Sequence, residues 1–268
     1  MRELSKQELR QLQLDILRQF AAYCEKQGLR YQLYAGTLLG AVRHRGFIPW
    51  DDDVDLTMPR PDYERLQQLA EQTPIGPTLQ LRSAERCENY NAPFLKLTDL
   101  RTDGRESYLR EEIRSGVWID IFPVDGLPSS PGEKRRLLNR QSRRQWLLRM
   151  ASRPWEFSRN PLKWLKRSVI YLLFHRVDYR KLAIQMDQEA KQWPLDSSGL
   201  VCVTVFDAKK RIFQRDWEEE SILLPFEGSM LPGPANYDAV LRSMYGDYLT
   251  PPPQAEKKPL HNYTAYWK

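Results

Sequence analysis

The chain has 268 residues, of which 41% are hydrophobic and 28% charged, as is ordinary for a globular protein of one large or two small domains. It carries a net charge of +6, and its longest apolar run, residues 169–174, is far shorter than the roughly 20 residues that span a bilayer. The three cysteines are widely spaced, which argues against a disulfide framework and favours a reduced, cytoplasmic setting. The amino terminus has no apolar segment, so we expect no secretory signal.

The first predicted element is a long helix over 6–27. Ser5 and Glu8 form a capping-box pattern, apolar residues follow at helical spacing, and Gly28 is expected to end the helix. A short strand over 31–35 and a second helix over 37–44 come next.

An acidic segment follows, in which residues 51–55 read Asp-Asp-Asp-Val-Asp. The alternation of apolar and polar residues over 53–58 predicts a strand, with Asp51, Asp53 and Asp55 on one face and Asp52 on the other. Neighbouring carboxylates repel one another, so the pattern favours a bound cation, and Mg²⁺ is the hard ion that prefers such oxygens. The alternatives are a solvated acidic turn and a calcium loop, but the spacing required by an EF-hand fails.

The rest of the chain alternates between predicted helices and strands. We predict a helix over 62–71, strands over 79–82, 94–97 and 117–122, a helical block with breaks at Pro154 and Pro161, and an irregular tail from Phe226. The strand over 117–122 is expected to be closed by Pro123 and Gly126. This order indicates an α/β or α+β fold with a small mixed sheet. The predicted units are a catalytic core (1–130), a basic helical region (131–195) and a carboxyl-terminal segment packed on the core (196–268).

The basic charge is concentrated in one block. Residues 131–181 contain 15 Lys and Arg against 3 Asp and Glu, a net charge of +12, so the remainder carries −6. Trp and Leu residues interleave with these charges, which favours peripheral contact with an anionic membrane surface or a lipid-linked acceptor. The alternatives are an ordinary helical subdomain and a nucleic-acid surface, but no nucleic-acid motif occurs and we expect no nucleic-acid partner.

A long motif around the acidic segment indicates a family. It covers residues 34–55 and reads YAGTLLGAVRHRGFIPWDDDVD, and shorter motifs are FLKL (94–97), WIDIFPVDG (118–126) and YGDY (245–248). On these residues the chain resembles the LicD family, which includes bacterial phosphorylcholine transferases and, more distantly, fukutin-related ribitol-phosphate transferases. The resemblance spans about 30–250 and is loose across 130–225.

The resemblance implies a nucleotidyltransferase-like fold with three catalytic, metal-binding carboxylates. Asp53 and Asp55 take the D-x-D role. Asp120 is the third carboxylate, because it lies in mid-strand between two isoleucines, whereas the competing Asp125 precedes a glycine and is expected in a turn. One or two Mg²⁺ ions, for which Mn²⁺ can substitute, are the implied cofactor.

Five more residues are candidates for binding the donor phosphates: Gly36, Thr37, Arg43, His44 and Lys96. Gly36 and Thr37 open a helix whose amino-terminal amides favour phosphate, although short Gly-Thr turns are common. Arg43 can clamp a phosphate in bidentate fashion, unless it and His44 are a surface basic pair. Lys96 can neutralise charge on the leaving group, unless it is an exposed strand lysine.

The implied reaction is the transfer of a phospho-alcohol from a CDP-alcohol. The expected donor is CDP-choline, the expected acceptor is a glycan hydroxyl of a teichoic acid or lipopolysaccharide precursor, and CMP leaves at the inner face of the membrane. Alternatives are a CDP-ribitol or CDP-glycerol donor, a nucleotidyltransferase, and a non-catalytic binding module. His261 in the tail is a weaker candidate, since a lone histidine there is more often structural.

Overall fold

The computed structural model describes residues 1–257 and 263–268, apart from the side chains of Lys210 and Glu218, so His261 lies outside the described residues. The helices are α1 (Lys6–Gln27), α2 (Ala35–His44), α3 (Arg60–Gln72), α4 (Pro131–Ala151), α5 (Pro161–Phe174), α6 (Tyr179–Ala190), α7 (Arg215–Glu219) and α8 (Tyr237–Tyr245). The strands are β1 (Arg2–Glu3), β2 (Gln32–Leu33), β3 (Asp55–Pro59), β4 (Leu79–Arg82), β5 (Leu95–Asp99), β6 (Thr102–Glu106), β7 (Trp118–Gly126), β8 (Leu200–Cys202), β9 (Ile212–Gln214), β10 (Ser221–Phe226), β11 (Ser229–Pro234) and β12 (Tyr263–Trp267).

A mixed sheet forms the centre of the fold. Its strands lie in the order β2-β3-β7-β5-β4, and β8 joins the end of β7 and pairs with β9. Strands β3 and β7 run parallel, whereas the other neighbours are antiparallel. Helices α1 and α3 pack on the central strands, which confirms the α/β class with a small mixed sheet flanked by helices.

Helix α1 begins and ends as its sequence predicts. The Ser5 hydroxyl accepts a hydrogen bond from the Glu8 amide, and the Glu8 carboxylate accepts one from the Ser5 amide, which completes the capping box. Gly28 ends the helix in the left-handed conformation, with a φ of 61°. The apolar stripe that includes Ile16 and Phe20 is fully buried in the core.

The acidic segment differs from the prediction, because the strand begins only at Asp55 and Asp51–Asp53 form a loop. Side chains of α1 hold this loop: Arg10 Nη2 donates to the carbonyl oxygens of Ile48 (2.9 Å) and Pro49 (3.0 Å), and Gln13 Nε2 donates to that of Asp52 (2.8 Å). These bonds replace a sheet ladder. The prediction that Asp52 points to the opposite face from Asp51 and Asp53 was therefore wrong. One carboxylate oxygen from each of these three residues lies within 4.8 Å of the other two.

Strand β7 is longer than predicted and contains both Pro123 and Asp125. Pro123 lies between Ile121, the last residue paired with β5, and Asp125, the first residue paired with β8. The missing N–H of the proline therefore breaks no ladder bond on that side. The expected turn at Asp125 was wrong, because β8 extends the pairing of β7 to Gly126.

The carboxyl-terminal third is more regular than expected. The irregular tail from Phe226 was a wrong prediction, because β10 and β11 form an antiparallel hairpin, α8 follows, and β12 pairs with β1 and β6. The hairpin packs on α2 and β2, which explains why it orders. The helical block with a break around Pro154 and a new start at Pro161 is confirmed as α4 and α5.

Candidate functional site

Three carboxylates meet where β3 and β7 lie side by side. Asp55 is directly opposite Asp120 in the parallel register, and Asp53 precedes β3 by two residues. One carboxylate oxygen from each of Asp53, Asp55 and Asp120 lies within 4.8 Å of the other two. The structure thus brings together the three residues that the sequence proposed as metal ligands.

The electrostatics of this cluster favour a cation. Burial, together with the charges of Asp53 and Asp120, raises the pKa of Asp55 well above its usual range. A positive ion between the carboxylates would reverse that shift, and a donor set made only of carboxylate oxygens suits Mg²⁺ or Mn²⁺. The residues present therefore fit the divalent cation that the resemblance implied.

The amino-terminal turn of α2 lies against the carboxylate cluster. Thr37 Oγ1 accepts a hydrogen bond from the Asp55 amide (2.8 Å), which fixes the start of β3. Gly36 allows a close approach, because a Cβ atom there would lie 2.3 Å from Asp51 Oδ2. Ala35 has a φ of 45°, a conformation that costs about 1 kcal/mol for a residue with a Cβ atom. Gly36 and Thr37 therefore shape the site through direct contacts with the acidic segment.

Lys96 lies beside the carboxylates on β5, opposite Asp120 in the antiparallel register. Its Nζ is 3.3 Å from Asp120 Oδ1 and 3.9 Å from the centroid of the Trp118 ring. The side chain is only 13% exposed, so the alternative of an exposed strand lysine is wrong. An ammonium group held between an aromatic face and a carboxylate is already largely desolvated. It can therefore bind an anionic oxygen with little further loss of hydration.

Arg43 and His44 lie at the carboxyl end of α2, next to the side chain of Trp50. Arg43 Nη1 donates to the Tyr248 carbonyl oxygen (2.7 Å), and its guanidinium lies 5.9 Å from the Trp50 ring centroid. His44 contacts the same ring edge-on at 6.1 Å, and burial lowers its pKa. Both residues are half-buried, so they are not a freely exposed basic pair, and Arg43 joins α2 to the segment after α8.

Arg211 is a site residue that the sequence did not reveal. Its guanidinium stacks 5.1 Å from the Tyr34 ring centroid, and its buried Nη1 has no hydrogen-bond partner among the residues that the structure describes. Burial opposes its charge, but Tyr34, Tyr245 and Asp55 outweigh that effect and raise its pKa. The same charge opposes the upward shift of the Asp55 pKa. Arg211 is thus a second buried cation close to the carboxylates.

Tyr245 lies near the same carboxylates. The residue as a whole is 43% exposed, but desolvation of its hydroxyl group raises its pKa; Arg211 opposes this shift, and the charges of Asp55, Asp51 and Asp53 add to it. It begins the YGDY motif that the sequence associated with the family. No local pattern marks Arg211 in the same way, because it reaches the site only through the pairing of β9 with β8 and of β8 with β7.

Asp125, the competing third carboxylate, has a different environment from Asp120. Its two oxygens accept hydrogen bonds from Arg60 Nε (2.6 Å) and Nη2 (2.8 Å), and Arg60 Nη1 donates to Asp187 (2.7 Å). Asp125 is fully buried; burial raises its pKa, and the Arg60 guanidinium opposes that shift. This arrangement is typical of a structural ion pair that joins β7, α3 and α6.

Comparison with known proteins places the chain among related sequences. Residues 28–128 match the family model described as "LicD/FKTN/FKRP, nucleotidyltransferase domain". The chain is 30% identical, over 99% of both sequences, to the lipopolysaccharide cholinephosphotransferase LicD of Haemophilus influenzae. It is 47% identical over 60 residues to the human ribitol 5-phosphate transferase FKRP, a match that covers 21% of this chain and 12% of that protein. The nearly full-length match and the family model establish that this chain belongs to the LicD family.

Proposed function

We propose that this protein transfers a phospho-alcohol head group, namely phosphocholine from CDP-choline, to a hydroxyl group of a cell-surface glycan precursor and releases CMP. The observation that carries the proposal is the cluster of Asp53, Asp55 and Asp120, with the buried cations Lys96 and Arg211 beside it. The nearly full-length relative is named a lipopolysaccharide cholinephosphotransferase, which supports both the head group and a glycan acceptor.

Asp53, Asp55 and Asp120 would hold the divalent cation. When bound, Mg²⁺ or Mn²⁺ neutralises negative charge on the diphosphate of the donor. Burial and the mutual repulsion of the carboxylates raise the pKa of Asp55, which supports this role, since the carboxylates need a counter-charge in order to remain ionised together.

The protein's cations would bind the donor and its leaving group. In the transfer, an acceptor hydroxyl oxygen forms a bond to the phosphorus of phosphocholine, and the bond from that phosphorus to the bridging oxygen breaks. The electron pair of the broken bond leaves with CMP, and Lys96 and Arg211 stabilise the negative charge that develops. With the carboxylate oxygen that the divalent cation leaves free, Asp120 would hold a second metal ion or accept the hydroxyl proton. Arg43 would contact the donor at the edge of the site, close to Tyr245.

A doubly labelled donor distinguishes this function from its rivals. CDP-choline that carries one isotope in choline and another in cytidine is incubated with Mg²⁺ and a glycan acceptor. We expect the choline label in the glycan and the cytidine label in free CMP. Cytidine label in the glycan would instead establish a nucleotidyltransferase, and no transfer from a panel of CDP-choline, CDP-ribitol and CDP-glycerol would favour a binding module.

A matched pair of variants ties the reaction to the carboxylates. Asp55→Asn removes one charge from the cluster, whereas Glu71→Gln removes an exposed carboxylate on α3 that pairs with Arg86. We expect CMP release to be lost in the first variant and unchanged in the second, with both proteins folded as judged by circular dichroism. Equal turnover in the two variants would refute the assignment of the site.

A further inference from the structure

Helix α5 presents an apolar face to solvent. None of its fourteen residues, all of which the structure describes, is buried. Five aliphatic side chains are between 45% and 77% exposed, and at 3.6 residues per turn they fall within an arc of about 100°. They are Leu162, Leu165, Val169, Leu172 and Leu173, and we name them the α5 stripe. Water does not stabilise such a stripe, so its exposure indicates that it meets a partner.

The other side of α5 is attached to the protein. The Phe174 ring packs edge-on against Trp146 of α4, with centroids 5.4 Å apart, and the Ser168 hydroxyl accepts a hydrogen bond from Trp155 Nε1 (3.2 Å). These contacts fix the rotation of the helix, so the α5 stripe faces outward because the opposite face is already used. Two of the anchoring groups, Trp146 and Trp155, are themselves about half exposed at this surface.

The charge around the stripe is positive. Lys163 and Lys166 on α5, and Arg149, Arg153 and Arg159 before it, are exposed. Other basic residues of the block are partly neutralised, since Arg140 and Arg144 share Glu189, and Arg167 pairs with Glu156. An apolar stripe bordered by unneutralised cations and by tryptophans complements a lipid surface with anionic head groups.

The described part of the chain contains no helix with the length and hydropathy needed to cross a bilayer. We therefore infer that α5 lies flat on an anionic lipid bilayer, with the α5 stripe inserted among the acyl chains and its lysines at the head groups. This differs from purely electrostatic attraction, because most of the binding would come from apolar burial that salt does not screen.

This surface is linked to the candidate site through α4. Helix α4 packs on the turn at 208–210 that directly precedes Arg211, and Gln145 of α4 accepts a hydrogen bond from the Asp207 amide (3.2 Å). A protein held by α5 would thus keep its site close to the bilayer surface. A lipid-linked acceptor follows from this placement, and that part of the inference rests on the proposed function.

Vesicle binding tests the inference without donor or acceptor. The full-length protein is sedimented with vesicles of phosphatidylcholine alone or of phosphatidylcholine and phosphatidylglycerol, at low and high salt. We expect binding to the anionic vesicles that persists in part at ~500 mM NaCl, where the Debye length is below about 5 Å. In the double variant Leu165→Gln/Leu172→Gln, each replaced leucine should weaken vesicle binding about tenfold. In the double variant Lys163→Gln/Lys166→Gln, each removed charge should weaken binding to anionic vesicles about fivefold, and only at low salt.

The matched control is Leu223→Gln on the β10 hairpin strand, since Leu223 is 63% exposed and Leu172 is 67% exposed. It should bind vesicles like the wild type. The stripe variants should keep the wild-type melting temperature and wild-type turnover on a short soluble acceptor, which separates this inference from the proposed function. Wild-type protein that ignores anionic vesicles would overturn the inference. So would a concentration-dependent dimer that the stripe variants abolish, because the stripe would then be covered by a second copy of the chain.

Discussion

Replacing Asp125 with alanine should destabilise the protein strongly, although it removes a carboxylate close in sequence to the site. The Arg60 side chain is only 8% exposed, and Asp125 is fully buried and binds it through two short hydrogen bonds. Removing Asp125 leaves the guanidinium with Asp187 alone, in surroundings where water cannot replace the lost acceptor. Breaking a buried pair in this way costs about 3–5 kcal/mol.

The effect is measured by equilibrium unfolding in urea. For a chain of this length, the loss corresponds to a fall of roughly 10 °C in melting temperature. Asp120→Asn should change the unfolding free energy much less, because relief of the like-charge cluster offsets the lost ion pair with Lys96, while CMP release is abolished.

Two controls sharpen this prediction. Glu219→Ala breaks an exposed pair with Arg215 and should leave the melting temperature close to that of the wild type, because surface ion pairs contribute little. The double variant Arg60→Met/Asp125→Leu replaces the buried pair by apolar groups and should recover most of the stability, since Asp187 is partly hydrated. An Asp125→Ala protein with wild-type stability and no activity would refute the reasoning and make Asp125 the third carboxylate.

Variants at three further positions test the surroundings of the carboxylates by CMP release and thermal melting. Lys96→Met should lower kcat about 100-fold, because a buried cation next to the leaving group is lost. Arg211→Met should lower kcat comparably. Arg211→Lys should retain only part of the wild-type kcat, since a single ammonium group cannot replace the planar guanidinium. Gly36→Ala should reduce turnover, because its Cβ would displace the Asp51 carboxylate, whereas Gly132→Ala, with its nearest atom 3.9 Å away, should have no effect. Wild-type kinetics in Lys96→Met, Arg211→Met or Gly36→Ala would remove that residue from the site.

Local sequence signals predicted the elements whose ends are fixed by neighbouring residues. The capping box at Ser5 and the glycine at position 28 set α1, and Pro161 starts α5. The apolar pattern also placed Asp55 and Asp120 on strands, but the parallel register that sets them side by side was not predicted.

Non-local contacts account for what the sequence could not predict. The loop at Asp51–Asp53 depends on side chains of Arg10 and Gln13, which are some 40 residues away along the chain. Arg211 approaches Asp55 only because β8 and β9 extend the sheet beyond β7. Asp125 looked like a turn residue because a glycine follows it, and no local signal pointed to its partner, Arg60, which lies at the start of α3 and carries no motif.

The central claim, that Asp53, Asp55 and Asp120 bind a divalent cation, is tested most directly by electron paramagnetic resonance of added Mn²⁺. The wild-type protein should bind Mn²⁺ and release it on addition of Mg²⁺, and the Glu71→Gln control should do the same. Asp55→Asn, folded but lacking one ligand, should leave the Mn²⁺ signal of the free ion unchanged. Mn²⁺ binding by Asp55→Asn at wild-type affinity would contradict the account.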